Sequence, residues 1–227
     1  MTSDNLLLRC EEAILRADRL QAENEKLRLQ AQRLGETAAS LMGRNLQLLA
    51  AITHQRRHRA APTARPFADH TTAHLQTVAL LHQRLAAGEE AIPVRSFLAE
   101  VCANLPVPEA SDPNIRVRFH ADPIVLAPDP AVALGLVASE LVMNSYRFGF
   151  RQRHAGEIRV KILRHGTDRA SLTVADSGPG LSEQFRKGSG FAIVEALAHS
   201  LEGDVVYQTG SAGGVSVRFA APGLEAA

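Results

Sequence analysis

Glu140 and Asn144 lie four residues apart in a run, Pro130–Phe148, whose apolar residues have helical spacing. Residues i and i+4 project from one face of an α-helix, so the carboxylate and the carboxamide are expected to stand side by side. Hard oxygen ligands of this kind suit Mg²⁺. A solvated polar helix face also explains the pair, so the pair alone does not establish a metal site.

A second polar group, Asp176, ends the β-type run Ser171–Ala175 and is followed by a turn that contains Gly178 and Gly180. A carboxylate at a strand end can accept a hydrogen bond from an exocyclic amine, and glycine lets the backbone approach a ligand closely. The same residues are also good chemistry for an ordinary tight turn. The motif is therefore consistent with either a nucleobase contact or a turn.

A third candidate is the segment Gly188-Ser189-Gly190, which opens a helical run ending at Leu201. A glycine-rich loop that leads into a helix N-terminus favours anion binding, because free N–H groups and the helix dipole point at the ligand. Each of the three features is weak by itself. Their order along the chain, with a strand before the second and a helix after the third, favours a nucleotide site.

At this point the chain resembles a known family, the histidine kinases. Leu136–Phe148 resembles their N-box, Val174–Leu181 their G1 box and Gly188–Leu197 their G2 box, while Gly213–Phe219 resembles the last strand of the domain. Together these segments cover nearly all of the chain from about residue 110 onward.

The resemblance implies a role for each matching residue. Asn144 would hold Mg²⁺ on the phosphates of ATP, and Glu140 would be the candidate base near the reacting phosphoryl group. Arg147 stands where the family often has Lys and would reach a phosphate, and Asp176 would bind the adenine amino group. The glycines that would shape the pocket and its lid are Gly178, Gly180, Gly188 and Gly190.

The helical half of the chain departs from the family pattern at its reacting residue. Arg44–Leu49 resembles the end of the H-box of the subfamily related to the HWE kinases, and His74–Leu85 resembles that subfamily's second bundle helix. In this alignment the phosphoacceptor histidine falls on Ser40. A serine hydroxyl is not activated as a nucleophile without a nearby base, so the resemblance predicts a degenerate kinase.

Other histidines are candidates to replace the missing acceptor. His54 returns to the helix face of Ser40 but lies roughly 21 Å further along, at 1.5 Å of rise per residue. His54 and His58 sit among Gln and Arg, as in a solvated helix end. His70 and His74 lie nearer the other end of the hairpin and are candidates to face outward there and accept phosphate.

The first fifty residues have the clearest periodicity. Leucine or alanine recurs every seven residues from Leu6 to Leu48, and a second row that includes Asn24 follows four residues after each. Such a heptad pattern predicts a coiled coil, in which a buried Asn can set the register. A long amphipathic helix packed within its own chain remains the alternative.

The elements together predict an α+β fold. We expect a coiled coil over residues 1–35, a dimerising helical hairpin over 36–106 that forms a dimeric four-helix bundle, and an α/β sandwich of the Bergerat type over 107–227. Helical runs at Asp69–Ala87 and Pro93–Leu105, joined by a short loop, are taken as a hairpin.

Composition sets limits on the classes of partner. The net charge is +1 and charged residues make up 22% of the 227 residues, so no global field favours nucleic acid. The sequence contains no apolar stretch of about 18 residues, so no membrane span is expected. The two cysteines are far apart, no histidine–cysteine cluster suggests zinc, and a cytoplasmic protein is predicted.

The functional hypothesis is a signalling protein of the two-component type that binds ATP and Mg²⁺. It would form a homodimer and dock a response-regulator receiver domain or a partner histidine kinase without phosphorylating itself at Ser40. Two alternatives remain open: an active histidine kinase that uses a displaced histidine, and a non-enzymatic adaptor with a vestigial pocket. A serine kinase with the same ATP fold would leave the match at Arg44–Leu49 unexplained.

Overall fold

The computed structural model describes residues 3–57, 59–106, 114–150, 155–180, 189–210 and 213–222. The helices are α1 (Ser3–Arg57), α2 (Arg65–Ala86), α3 (Val94–Ala103), α4 (Pro128–Asn144), which continues into a π-helical turn at Ser145–Gly149, and α5 (Ser189–Ser200). The strands are β1 (Ile92–Pro93), β2 (Ile115–Ala121), β3 (Val125–Leu126), β4 (Gly156–His165), β5 (Arg169–Asp176), β6 (Asp204–Gln208) and β7 (Gly214–Ala220).

Helices α1 and α2 form a long antiparallel hairpin. Near the connection, the buried side chains of Arg57 and Asp69 form an ion pair. Further from the connection, Gly43 packs so closely on α2 that a Cβ there would lie 3.3 Å from the backbone oxygen of Ala79. Helix α1 is continuous through residue 35, so the predicted boundary between coiled coil and hairpin falls inside one helix and stays a prediction.

A five-stranded sheet in the order β2-β4-β5-β7-β6 forms the second half of the fold. Strand β2 pairs with β4 in parallel, and the other neighbours are antiparallel. Along β4, Ile158, Val160 and Ile162 are buried, whereas Arg159 and Lys161 between them are exposed. This alternation is typical of a sheet that is covered on one face and solvated on the other.

The covered face of the sheet packs against a helical layer centred on α4. A Cβ at Gly135 of α4 would lie 2.9 Å from both Phe97 of α3 and Thr77 of α2. Glycine at this position therefore lets α4 approach α2 and α3 together. The predicted hairpin between the second and third helices is wrong, because Phe97, Leu98 and their neighbours bury α3 in this core while α2 pairs with α1.

The predicted fold class, helical elements followed by an α/β sandwich, is confirmed. The dimeric four-helix bundle stays a prediction, since one chain is described. The predicted domain boundary lies between residues 106 and 107, and residues 107–113 are outside the described part of the chain, so the boundary stays a prediction. Within that part, no helix combines the length and the apolar character that a membrane crossing needs.

Replacing Asp69 by Ala should destabilise the protein strongly. Both partners of the Arg57–Asp69 pair are buried, and removing one partner of a buried ion pair costs about 3–5 kcal/mol. The measurement is the free energy of unfolding in urea. As a control, Asp204→Ala breaks an ion pair whose side chains are more than half exposed, and should have a much smaller effect. Equal effects of the two substitutions would contradict the account.

Candidate functional site

A cavity of about 910 Å³ opens between the first half of α2, the C-terminal end of α4, the end of β5 and the start of α5. This volume lies within the range of small-molecule sites, roughly 300–1,000 Å³. Residues of β7 line the cavity as well, so elements that are far apart in the sequence meet there and the cavity exists only in the folded protein.

Asp176 lies at the end of β5 and lines the cavity. Its Oδ1 accepts a hydrogen bond from the backbone N–H of Gly178 at 2.9 Å, which orients the half-buried carboxylate. A Cβ at Gly149 would lie 2.8 Å from the carboxylate, and one at Gly178 would lie 2.3 Å from the oxygen of Gly149. Glycine is therefore needed at both positions, because any side chain would prevent the backbone at residues 149 and 178 from packing this closely around Asp176. The Asp176 carboxylate can accept a hydrogen bond from an amine such as that of adenine.

Glu140 and Asn144 both line the cavity, as their spacing on one helix face predicts. Glu140 is buried with 1% of its surface exposed. Within the described part of the chain, Oε2 of Glu140 and Nδ2 of Asn144 are buried without a hydrogen-bond partner. The start of α5 closes on both groups, because a Cβ at Gly190 would lie 2.8 Å from Oε2 of Glu140. Unpaired buried polar atoms beside a helix N-terminus indicate a polar ligand.

Two histidines of α2 meet Glu140 from the other side. Nδ1 of His70 lies 2.9 Å from Oε1 of Glu140 in a hydrogen bond, and Nε2 of His74 lies 2.6 Å from the same oxygen. Burial raises the pKa of Glu140, but the hydrogen bonds and charges of the two histidines outweigh it and lower that pKa to about 2. The carboxylate is therefore ionised at neutral pH.

The expectation that His70 and His74 face outward is wrong. Helix α2 is packed on two sides, against α1 and against α4, so its histidine face is covered by α4. The spacing of four residues between the two histidines predicts that both rings lie on one face of the helix. Nothing in the sequence indicates that this face contacts Glu140, which is 70 positions away from His70.

The other predicted site residues are distributed as follows. Gly180 and Gly190 line the cavity, and Arg147 lies at its edge with its guanidinium 5.1 Å from the ring centre of Phe148. Gly188 lies outside the described residues, as does His58. Ser40 lies half-buried on α1 and is not among the described residues that line the cavity, and His54 is exposed on α1.

Sequence reasoning missed the wall that α2 contributes. Phe67 and Thr71 line the cavity one turn apart, and Phe67 is 78% exposed although it is large and apolar. The connector residue Thr63 also lines it. The hairpin is therefore part of the site rather than a separate scaffold.

The donor set fits a magnesium-bound nucleotide. The side-chain oxygen of Asn144 is a hard ligand of the kind that Mg²⁺ accepts alongside water and phosphate oxygens. The start of α5, with Gly190 against Asn144, is suited to phosphate. Bound there, Mg²⁺ would neutralise charge on the phosphate groups.

Three comparisons with known proteins bear on this site. Residues 130–225 match the family described as histidine kinase-, DNA gyrase B-, and HSP90-like ATPase. A segment of 101 residues is 28% identical to Blue-light-activated histidine kinase 1 of Erythrobacter litoralis. That segment is 43% of this chain and spans 28% of the length of the relative.

Solved structures show the same fold. The histidine kinase domain of the Erythrobacter litoralis EL346 blue-light activated histidine kinase superposes with a TM-score of 0.61 at 19% identity, over 77% of this chain and 94% of that one. A longer structure of that kinase gives 0.61 at 20% identity, over 78% of this chain and 60% of the other.

Asn144, Asp176 and the start of α5 fall within the matched segment, whereas the wall that α2 contributes lies outside it. Residues 130–225 are thus similar to the histidine kinase-, DNA gyrase B- and HSP90-like ATPases, and they follow a helical hairpin in a fold like that of the Erythrobacter litoralis EL346 histidine kinase domain.

Proposed function

We propose that this chain binds ATP·Mg²⁺ in the cavity between α2, α4 and α5 and acts in signalling of the two-component type. The proposal rests above all on one observation, which is that Asp176 and Asn144 line the same cavity. Asp176 accepts the adenine amino group, Asn144 holds Mg²⁺, and the start of α5 receives the phosphates. The match of residues 130–225 to an ATPase family supports the same assignment.

Ser40 does not take the place of a phosphoacceptor histidine in this proposal. It lies on α1 three residues before Gly43, which packs opposite Ala79 of α2. Ala79 lies nine residues beyond His70, roughly 13 Å along the helix axis. Ser40 is therefore far from Glu140, the candidate base, and Glu140 does not activate its hydroxyl.

The chain acts as a dimer that docks a response-regulator receiver domain or a partner histidine kinase. From residue 16 on, one row of the heptad pattern is exposed in the single chain, and its leucines are Leu20, Leu27, Leu34, Leu41 and Leu48. Exposed leucines at a seven-residue period match the seam of a coiled coil with a second copy. The names of the relatives support a histidine-kinase system as the setting.

Replacing Asp176 by Asn should weaken ATP binding at least about 10-fold, since loss of a hydrogen bond to a charged group costs roughly 1.5–3 kcal/mol. Isothermal calorimetry with the full chain and a non-hydrolysable ATP analogue measures the dissociation constant. Asp168→Asn, in the exposed turn between β4 and β5, is the matched control and should bind like the unmodified chain. Absence of binding by the unmodified chain would refute the proposal and favour an adaptor with a vestigial pocket.

Replacing Asn144 by Leu should remove the dependence of nucleotide binding on Mg²⁺. The unmodified chain should bind the ATP analogue more tightly in Mg²⁺ than in EDTA, and the variant should lose most of that difference. We expect at least about a 10-fold loss in Mg²⁺, because loss of even outer partners of a metal costs 10–100-fold. An unchanged ratio of the two dissociation constants would remove Asn144 from the metal site.

Replacing Leu27 by Asp should dissociate the dimer, raising its dissociation constant at least about 10-fold, because a charge would enter an apolar seam. Leu29→Asp is the matched control. Leu29 is exposed to nearly the same extent, 53% against 58% for Leu27, but lies outside the heptad row. Sedimentation equilibrium of the full chain measures both. Equal weakening by the two substitutions would argue against a heptad interface.

A further inference from the structure

The hydrogen bond between His70 and Glu140 forms a dyad inside the nucleotide cavity, on a helix where the family alignment places no acceptor. His70 lines the cavity with 19% of its side chain exposed, so a ligand can reach the ring. Asn144 lies one turn beyond Glu140 on the same face of α4. A histidine is therefore held by a carboxylate beside the residue that is assigned to the metal–phosphate group.

We propose that His70 is the phosphoacceptor of this chain and takes the γ-phosphoryl group of ATP on its Nε2 atom, with Glu140 as the positioning residue. The inference rests on the proposed ATP site. The presence of Ser40 on α1 then does not imply an inactive kinase, because the acceptor histidine lies on α2 instead.

The hydrogen bond determines which ring nitrogen can react. Glu140 is ionised and has no proton to give, so Nδ1 of His70 must be the donor of the 2.9 Å bond. In the neutral ring the proton on Nδ1 leaves a lone pair on Nε2. A carboxylate that holds one imidazole nitrogen also stabilises the positive charge that appears on the ring when the other nitrogen attacks.

His74 is a poorer candidate although it is closer to the carboxylate. Its Nε2 lies 2.6 Å from the same oxygen, so Glu140 holds Nε2 rather than Nδ1 of this ring. With Nε2 turned toward Glu140, only Nδ1 remains, and Nδ1 is the ring nitrogen bonded to Cγ and thus nearer its own backbone. His70 is held through Nδ1 and keeps its outer nitrogen, Nε2, for the attack.

The reaction balances with ATP as the only co-reactant. The lone pair on Nε2 of His70 forms a bond to the γ-phosphorus, and the bond between that phosphorus and the β,γ-bridging oxygen breaks. ADP leaves with the electron pair. The proton stays on Nδ1 in the hydrogen bond to Glu140 and is released when the phosphohistidine loses it to solvent.

The experiment is incubation of the purified full chain with γ-labelled ATP and Mg²⁺. We expect label that is lost in acid and kept in alkali, as for a phosphoramidate, and mass spectrometry under alkaline conditions should locate it on His70. His70→Gln should reduce labelling to background. His120→Gln, which changes an exposed histidine on β2 away from the cavity, should label normally.

Glu140→Gln provides the test of the positioning role. Loss of the charge should lower the maximal labelling rate at least about 100-fold, because an amide no longer fixes the ring tautomer or stabilises the positive charge on the ring. The ATP concentration that gives half the maximal rate should change little. A merely structural role would instead lower the thermal unfolding temperature and raise that concentration.

The outcomes separate this inference from the proposed function. Calorimetric binding of the ATP analogue without any acid-labile label would overturn the phosphoacceptor and leave the ATP site in place. Label mapped to His74, to another histidine, or to an acid-stable phosphoserine would overturn it as well. Absence of nucleotide binding would remove both proposals together.

Discussion

A buried negative charge organises this protein. Glu140 is ionised with 1% of its surface exposed, and a carboxylate in that position must be compensated by charge and hydrogen bonds. His70 and His74 supply the compensation from α2, and the start of α5 approaches the other oxygen. The constraint therefore couples the hairpin to the ATPase-type domain, and the cavity is the space left between them.

The small residues around the cavity follow from this arrangement. Gly190 is needed where α5 approaches Glu140, and Gly178 is needed where the turn after β5 passes the backbone of Gly149. Any Cβ at either position would collide with the carboxylate or the backbone that it faces. The glycine pattern that favours a phosphate site is thus, at these two positions, also a packing requirement of the fold.

The arrangement changes how the missing acceptor is interpreted. In the linear alignment, Ser40 indicates a kinase that has lost its reacting residue. In three dimensions, the face of α2 that carries His70 lines the cavity, and the register of the hairpin leaves Ser40 beyond Gly43 and Ala79.

The local elements were readable from the sequence because each depends on short-range pattern. The alternation of Ile158, Val160 and Ile162 defines one face of β4, and the four-residue spacing of Glu140 and Asn144 places both on one face of α4. Asp176, at a strand end and followed by glycines, was a candidate for a nucleobase contact, and it lines the cavity. The pairing of α2 with α1, the burial of α3 and the contact of His70 with Glu140 were decided only by the tertiary structure. The physical reason is that a helix face becomes buried only when a distant part of the chain packs on it. The spacing of residues within α2 therefore cannot predict that His70 meets a carboxylate 70 residues away.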